Sequence, residues 1–344
     1  MPADLAARAA DILIEAGMEA TDARATAEIL VFAQESGIDS HGLIHLPSYV
    51  AGISSGALNA RPRMQVLGSH RAAAILDADR APGALAGLRA SNEAVERAKE
   101  CGAAVVAVRN SAHFGAAGAF AERMASAGVV SLIFSNASPT VAPRGARTAL
   151  FGTNPIAAGF PRHDGPPILV DFATSAGSRA RIRQAAAEGK PIPTDWALDR
   201  NGMPTDDAEA ALSGTMQALG GEKGAALPLL VELLCVVLSG GRPGFEVLPP
   251  QDPSDRSRGV SHLFIAMDAE AFGGPREVMV RADRIAALVE SAAPADPANP
   301  PRIPGVRGAR LRALARRDGI VVSRGLSTAL TEARAISQRI LASA

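Results

Sequence analysis

The chain has 344 residues, 47% of them hydrophobic, with 35 basic against 35 acidic side chains. That length and apolar fraction exclude global disorder and predict one large domain or two interleaved ones. A formal charge of zero argues against a nucleic-acid or membrane-surface protein, whose footprint is a basic excess.

The first residues carry Asp4 and Arg8 and no apolar run, so no signal peptide is expected and the protein is expected in the cytoplasm. Residues 4–16 place Leu5, Ile12, Leu13 and Ala16 on one helical face, and Gly17 stops that helix. Thr21 or Asp22 is expected to cap a second helix reaching Ser36. A third is expected from His41 to Gly56, burying Leu43, Leu46, Val50 and Ile53. From Met64 the pattern changes to a hairpin, residues 64–67 and 73–76 flanking Gly68-Ser69-His70. A helix over 83–100 precedes the apolar strand 103–108, and after the loop 109–115 come a helix and the strand 129–134.

Residues 135–154 read as turns, 168–171 as a strand and 178–188 as a helix. A polar loop around Trp196 follows. The helix 223–238 is apolar on most faces and is expected to be central. Its apolar run, Leu227 to Leu238, contains Glu232 and is too short to span a bilayer. Residues 243–259 read as irregular and 262–267 as a strand. Helices return at 281–292, 309–317 and 328–342, with a proline-rich linker over 294–304. Cys101 and Cys235 lack metal or redox spacing and are expected to be buried thiols in a reducing compartment.

Several chemistries have no frame here. No G-x-G-x-x-G follows a predicted strand, and there is no Walker lysine, HExxH or G-x-S-x-G. Among the six histidines only His41 and His45 have a spacing that shares a helix face, so no metal site is expected.

Four segments stand out. Asp39-Ser40-His41-Gly42 sets a histidine beside a hydroxyl and a carboxylate, suited to general acid–base work, although a plain helix cap explains the same residues. Asn110 to Gly118 joins a strand to a helix with small residues whose free N–H groups favour phosphate; an ordinary βα loop has the same look. Gly152-Thr153-Asn154-Pro155 and Asp171-Phe172-Ala173-Thr174-Ser175 lie where α/β proteins put ligands, and are also common turn formers. Gly220 to Gly224 opens the apolar helix with Lys223, one of only three lysines, at an end where a cation opposes the dipole.

In order along the chain, Asp39–Gly42 with Tyr49, Asn110–Gly118, Gly152–Pro155 and Asp171–Ser175 resemble the malate/L-lactate dehydrogenase family that lacks a Rossmann fold. Ile192-Pro193 with Trp196 and Asp199, Gly220–Gly224 and Ile303-Pro304-Gly305 extend the resemblance over nearly the whole chain. That family also contains sulfolactate and ureidoglycolate dehydrogenases and cyclic imino-acid reductases. The resemblance implies an α/β (α+β), non-Rossmann fold. Residues 1–62 and 281–344 would form a helical portion, and 63–280 an α/β portion carrying most cofactor contacts. It also implies a homodimer.

By the same resemblance Ser40 and His41 are catalytic, with His41 moving the proton opposite the hydride, and Thr153 contacts substrate. His113, Phe114, Gly115, Ala116, Ala117, Asp171, Phe172, Ala173, Arg179, Ala180 and Lys223 would bind NAD or NADP, together with Arg302, Pro304 and Gly305 in the 302–308 segment. Three positions depart from the family. His45 stands where many members have an arginine for the substrate carboxylate. Arg181 stands where the imino-acid reductases have an aspartate, and Arg144 occupies a turn that is usually neutral.

The expected activity is an NAD(P)-dependent interconversion of a small 2-hydroxy acid of malate, lactate or sulfolactate type and its 2-oxo acid, with no nucleic-acid or membrane partner. The alternatives are cyclic imino-acid reduction and a catalytically inactive ligand-binding relative. A four-residue helical spacing puts His45 beside His41, where it is expected to hold the carboxylate; a neutral, hydrogen-bonded His45 is the other reading, with Arg144 or Arg179 as the clamp.

Overall fold

A computed structural model describes residues 1–343. The chain opens with α1 (Pro2–Glu15), α2 (Ala20–Glu35) and α3 (Leu46–Ser55), then the strands β1 (Gln65–His70) and β2 (Ala73–Asp77). Next come α4 (Gly83–Cys101), β3 (Ala103–Ser111), α5 (Ala117–Ser126), β4 (Val129–Ser135), β5 (Ile156–Phe160) and β6 (Ile168–Phe172). A smaller unit follows: α6 (Arg179–Ala187), β7 (Ala197–Leu198), β8 (Pro204–Thr205), α7 (Ala208–Leu212), β9 (Thr215–Met216) and α8 (Gly221–Gly224). The chain then runs through α9 (Ala226–Ser239), β10 (Val260–Asp268), α10 (Pro275–Glu290), α11 (Val306–Asp318) and α12 (Arg324–Ser343).

The described residues form a seven-stranded sheet in the order β1-β2-β3-β10-β4-β5-β6. Only β2 and β3 pair in parallel; every other neighbouring pair is antiparallel. The late strand β10 is inserted between β3 and β4, so the sheet lacks the parallel order of a Rossmann domain. α4 and α5 cover one face. Gly87 makes this close packing possible, because a Cβ there would stand 2.6 Å from the Phe120 ring. α9 covers the other face through Val231 and Cys235, which pack with Phe134 and Leu263. A three-stranded sheet, β8-β7-β9, sits apart on its own small core of Val141, Ile182, Ile192 and Met216.

The chain ends meet. Leu5, Ile12 and Leu13 of α1 share a core with Leu30, Leu46 and Val50 and with Leu326 and Leu330 of α12. α11 is held by Arg312, which donates to Ser36 Oγ at 2.9 Å, pairs with Glu122 of α5 and lies over the Phe32 ring. The terminal helices are thereby fixed to the sheet layer.

Several expectations need correction. The third helix does not start at His41: residues 39–41 and 43–45 form two separate 3-10 turns, and α3 begins at Leu46 with Pro47 in its first turn. Gly42, with ψ near −148°, breaks helical geometry between the turns. α2 starts at Ala20, so neither Thr21 nor Asp22 caps it. β5, the small sheet, and the first six residues of α10 were not expected.

α9 is not enclosed, since Leu229, Leu230, Leu233, Val237 and Leu238 are all exposed. Cys101 is exposed at the end of α4, and only Cys235 is buried. Among the described residues, no helix is long and apolar enough to cross a membrane.

Candidate active site

The 3-10 turns after α2, the β3–α5 loop, the end of β6 and the start of α6 surround a cavity of about 510 Å³. Its walls include Ser40, His41, His45, Thr153, the run His113 to Ala117, Asp171 to Ala173, Arg179 and Ala180. Sequence positions far apart therefore converge at one place, although none of them shares a continuous element with another group.

The histidines are locally organised. Ser40 Oγ lies 3.0 Å from His41 Nδ1, and His45 Nε2 donates to the Ser40 carbonyl oxygen at 2.8 Å. The His45 ring lies 4.1 Å from the His113 ring, and His41 lies 5.9 Å from it. His113 is positioned from behind. The Tyr49 hydroxyl donates to its carbonyl oxygen, and α4 begins so close to it that a Cβ on Gly83 would stand 2.4 Å from that oxygen. The buried Nε2 of His113 has no hydrogen-bond partner. Phe114 stacks 4.5 Å from His262, which bridges Ser135 Oγ and Ser111 Oγ across the central strands. Burial lowers the His262 pKa to about 3, so it is a neutral framework residue.

Desolvation dominates the electrostatics. The surrounding walls, and secondarily the charge of His45, lower the His41 pKa to about 4, although the ring keeps a face open to the cavity. His45 is lowered by desolvation against the raising effect of its Ser40 hydrogen bond, with the Arg183 charge adding to the lowering. Both imidazoles are neutral at pH 7. Burial raises the Asp171 carboxyl to about 6, while the Gly118 N–H, donating at 2.8 Å, pulls the other way. The carboxylate thus occupies the start of α5, and Gly118 must lack a side chain because a Cβ would lie 2.9 Å from Asp171 Oδ2. The expectation that this helix end is open for phosphate is corrected at Gly118.

Other expected residues stand apart. Arg144 is exposed and pairs with Glu222 at 3.6 Å, and Lys223 is exposed on α8. Arg302 is exposed, the Pro304 carbonyl accepts from Leu169 N–H at 3.2 Å, and a Cβ on Gly305 would meet Leu169 at 2.9 Å. Within one chain the 302–308 segment braces the edge of β6 and does not line the cavity.

The cavity also holds residues that sequence reasoning missed: Ser135, Asn136, Ser138, Arg183 and Arg258. Arg183 had a readable signal, because it follows Arg179 by one helical turn. Arg258 sits in irregular chain and gave none.

The loops behind the cavity are tied by Glu232 of α9, which is buried. Its carboxylate accepts from Asn136 Nδ2 at 3.2 Å, Asn154 Nδ2 at 3.0 Å and Gly244 N–H at 2.6 Å. Asn154, held at a φ of 32°, lies next to Thr153, whose carbonyl oxygen accepts from Thr174 N–H at 2.8 Å. Thr153 is therefore presented by a braced turn.

The sequence profile of the malate/L-lactate dehydrogenase family matches residues 1–331, and the chain belongs to that family. The (2R)-3-sulfolactate dehydrogenase (NADP(+)) of Chromohalobacter salexigens is 39% identical over 272 residues, 77% of this chain and 81% of that one. A Delta(1)-pyrroline-2-carboxylate/Delta(1)-piperideine-2-carboxylate reductase of Pseudomonas aeruginosa is 35% identical, covering 88% of this chain and 89% of that one. The solved sulfolactate dehydrogenase of Methanocaldococcus jannaschii superposes with a TM-score of 0.90 at 30% identity, covering 98% of this chain and 96% of that one. The fold is accordingly the non-Rossmann fold that the resemblance implied.

Replacing Glu232 by leucine removes the acceptor of the Gly244 N–H and one of the two acceptors of each of Asn136 Nδ2 and Asn154 Nδ2, whose other partners are the Arg242 and Pro228 carbonyl oxygens. Denaturant unfolding of Glu232→Leu is expected to show a loss of about 3–5 kcal/mol, and Glu232→Gln, which keeps an acceptor oxygen, a smaller one. A Glu232→Leu protein as stable as the parent would remove the bracing role.

Proposed function

We propose that the protein is an NAD(P)-dependent dehydrogenase that interconverts a small 2-hydroxy acid and its 2-oxo acid, with His41 as the proton carrier. The observation that carries this reading is the Ser40–His41 pair, neutral and accessible, on the wall of a cavity that also presents Thr153 and unpaired cationic charge.

The cavity fits a nicotinamide dinucleotide. The stretch from Gly115 to Ala117 offers a wall almost free of side chains, His113 Nε2 is a buried polar atom still lacking a partner, and Arg179 supplies positive charge. His113 to Ala117, Asp171 to Ala173, Arg179 and Ala180 would hold the cofactor. Once bound, the nicotinamide accepts or supplies the hydride.

With Nδ1–H donated to Ser40 Oγ, His41 Nε2 carries the lone pair that removes the hydroxyl proton during oxidation. In reduction the same nitrogen returns that proton to the developing alkoxide. His45, engaged with the Ser40 carbonyl, steadies the turn that aims both groups. Cyclic imine reduction finds no support at position 181, since Arg181 is exposed and lies outside the cavity wall.

The reading includes a homodimer of cytoplasmic protein. α9 leaves five apolar side chains exposed between Leu229 and Leu238, and α10 leaves Val280, Ile285, Leu288 and Val289 exposed. Among those α9 positions there is no charge for a dissimilar partner to read, and a second copy offers the same apolar surface across a twofold axis. Light scattering is expected to give twice the chain mass, and Leu233→Glu combined with Val237→Glu to give the monomer. A parent that is itself monomeric would contradict this.

The activity is tested by following NADH and NADPH oxidation with pyruvate, oxaloacetate, sulfopyruvate and piperideine-2-carboxylate. Turnover with one of the three 2-oxo acids is expected, and turnover with the imine alone would overturn the reading. The pH profile is a further check. Oxidation needs neutral His41, so kcat/KM for the hydroxy acid should rise with pH, with its midpoint below 6.5, and stay flat through pH 7. Reduction needs the protonated ring, so its kcat/KM should fall over the same interval. A midpoint above 6.5 in either direction would contradict a desolvated His41.

A further inference from the structure

An oxo-acid substrate brings a carboxylate into a cavity whose histidines are neutral, and some permanent cation must receive it. The candidates on the wall are His45, Arg179, Arg183 and Arg258. His45 already donates Nε2–H to the Ser40 carbonyl oxygen. Arg258 is 3% exposed and is consumed by its surroundings, donating to the Asp252 carbonyl oxygen at 2.6 Å and pairing with the Asp252 carboxylate at 3.6 Å. Arg179 is half-buried and donates to the Leu212 carbonyl oxygen at 3.3 Å.

Arg183 differs from all three. It is exposed toward the cavity and has no hydrogen bond or ion pair among the described residues. It stands one turn beyond Arg179 on α6, about 6 Å along the helix axis. Of these two arginines it is the one whose charge acts on His45, and His45 touches the ring of His113 and the backbone of Ser40. A guanidinium with no partner among the described residues therefore lines the same cavity as Ser40, His41 and His45, while its neighbour Arg179 donates to the Leu212 carbonyl oxygen.

We propose that Arg183 is the side chain that grips the substrate carboxylate, in place of position 45, where the histidine is committed to the backbone of the catalytic turn. This rests on the hydroxy-acid reading above. A planar guanidinium offers two parallel N–H donors to a carboxylate, which fixes the orientation of the oxo acid as well as its position. The charge also matters for turnover, because a substrate anion held beside His41 favours the protonated ring, which burial otherwise opposes. Small acids with a free carboxylate next to the reacting carbon are selected, and their esters and amides are refused.

The test compares the parent with Arg183→Gln and Arg183→Lys. Oxalate, which mimics the oxo-acid head, is titrated by calorimetry with and without saturating NADPH, and NADPH binding is titrated separately by fluorescence. Arg183→Gln is expected to weaken oxalate by about 10–100-fold, the scale of a charge-assisted pair. Arg183→Lys should recover part of that loss, NADPH affinity should stay within about twofold, and the melting temperature should not move, since the residue is exposed. In turnover assays the loss should appear in KM for the oxo acid more than in kcat.

Unchanged oxalate affinity in Arg183→Gln would overturn the proposal, as would a loss confined to NADPH or shared equally by both ligands, which would put the guanidinium on the cofactor. The two readings fail separately. If the parent turns over no oxo acid but binds oxalate through Arg183, the clamp stands and the dehydrogenase reading falls. If the parent turns over and oxalate ignores Arg183, the reverse holds.

Discussion

Glu232 is a carboxylate buried at the end of the sheet, with no ion pair among the described residues, and its charge is met by N–H groups from three separate stretches of chain. Burying such a group is costly unless its lone pairs are filled, so the three stretches are held where their donors reach it. Asn136 follows β4 and returns the favour to β10 by accepting from Ser261 N–H at 2.8 Å; Asn154 precedes β5, and Gly244 follows α9. These are the segments that close the back of the cavity. The helix that carries Glu232 contributes no side chain to the cavity wall itself, yet the wall depends on it.

The front of the cavity is built differently. Ser40, His41 and His45 lie on short 3-10 turns stabilised by each other, and the β3–α5 loop is pressed between Tyr49, the start of α4 and the His262 stack. Dry surroundings then set the chemistry. They keep the histidines neutral and raise the pKa of Asp171 at the start of α5, and beside them Arg183 of α6 has no hydrogen bond or ion pair among the described residues. A site of this kind favours anionic ligands without needing a protonated histidine to attract them.

Much of this was legible in the sequence, for identifiable reasons. The amphipathic spacing in residues 4–16 follows from side-chain periodicity and α1 appears there, and the hairpin of β1 and β2 is present too. Gly68 to His70, expected as its turn, instead belong to β1, with Ser69 and His70 paired to Ala74 and Ala73, and the chain turns at residues 71–72. Other features depended on partners that no local pattern reveals. β5 reads Ile-Ala-Ala-Gly-Phe, with little strand propensity, and is a strand because β4 and β6 flank it. The run from Leu227 to Leu238 looked central because apolar residues surround the helix, but only one side of it meets the sheet. At the site, the ordered motifs brought Ser40, His41, His113 and Thr153 to one cavity. The helical argument for His45 assumed regular geometry through Gly42, and there the backbone turns instead. Arg183 carried a readable spacing, one turn beyond Arg179, yet it went unread because a second arginine on a polar helix resembles a solvated face until the cavity beside it is seen.

The most direct measurement is turnover of the preferred 2-oxo acid by His41→Gln beside the parent, with NADPH affinity measured on both proteins. Loss of roughly 10²–10⁴ in kcat with cofactor binding unchanged is the result predicted for a proton carrier next to the reacting carbon. A variant that turns over as fast as the parent would contradict it.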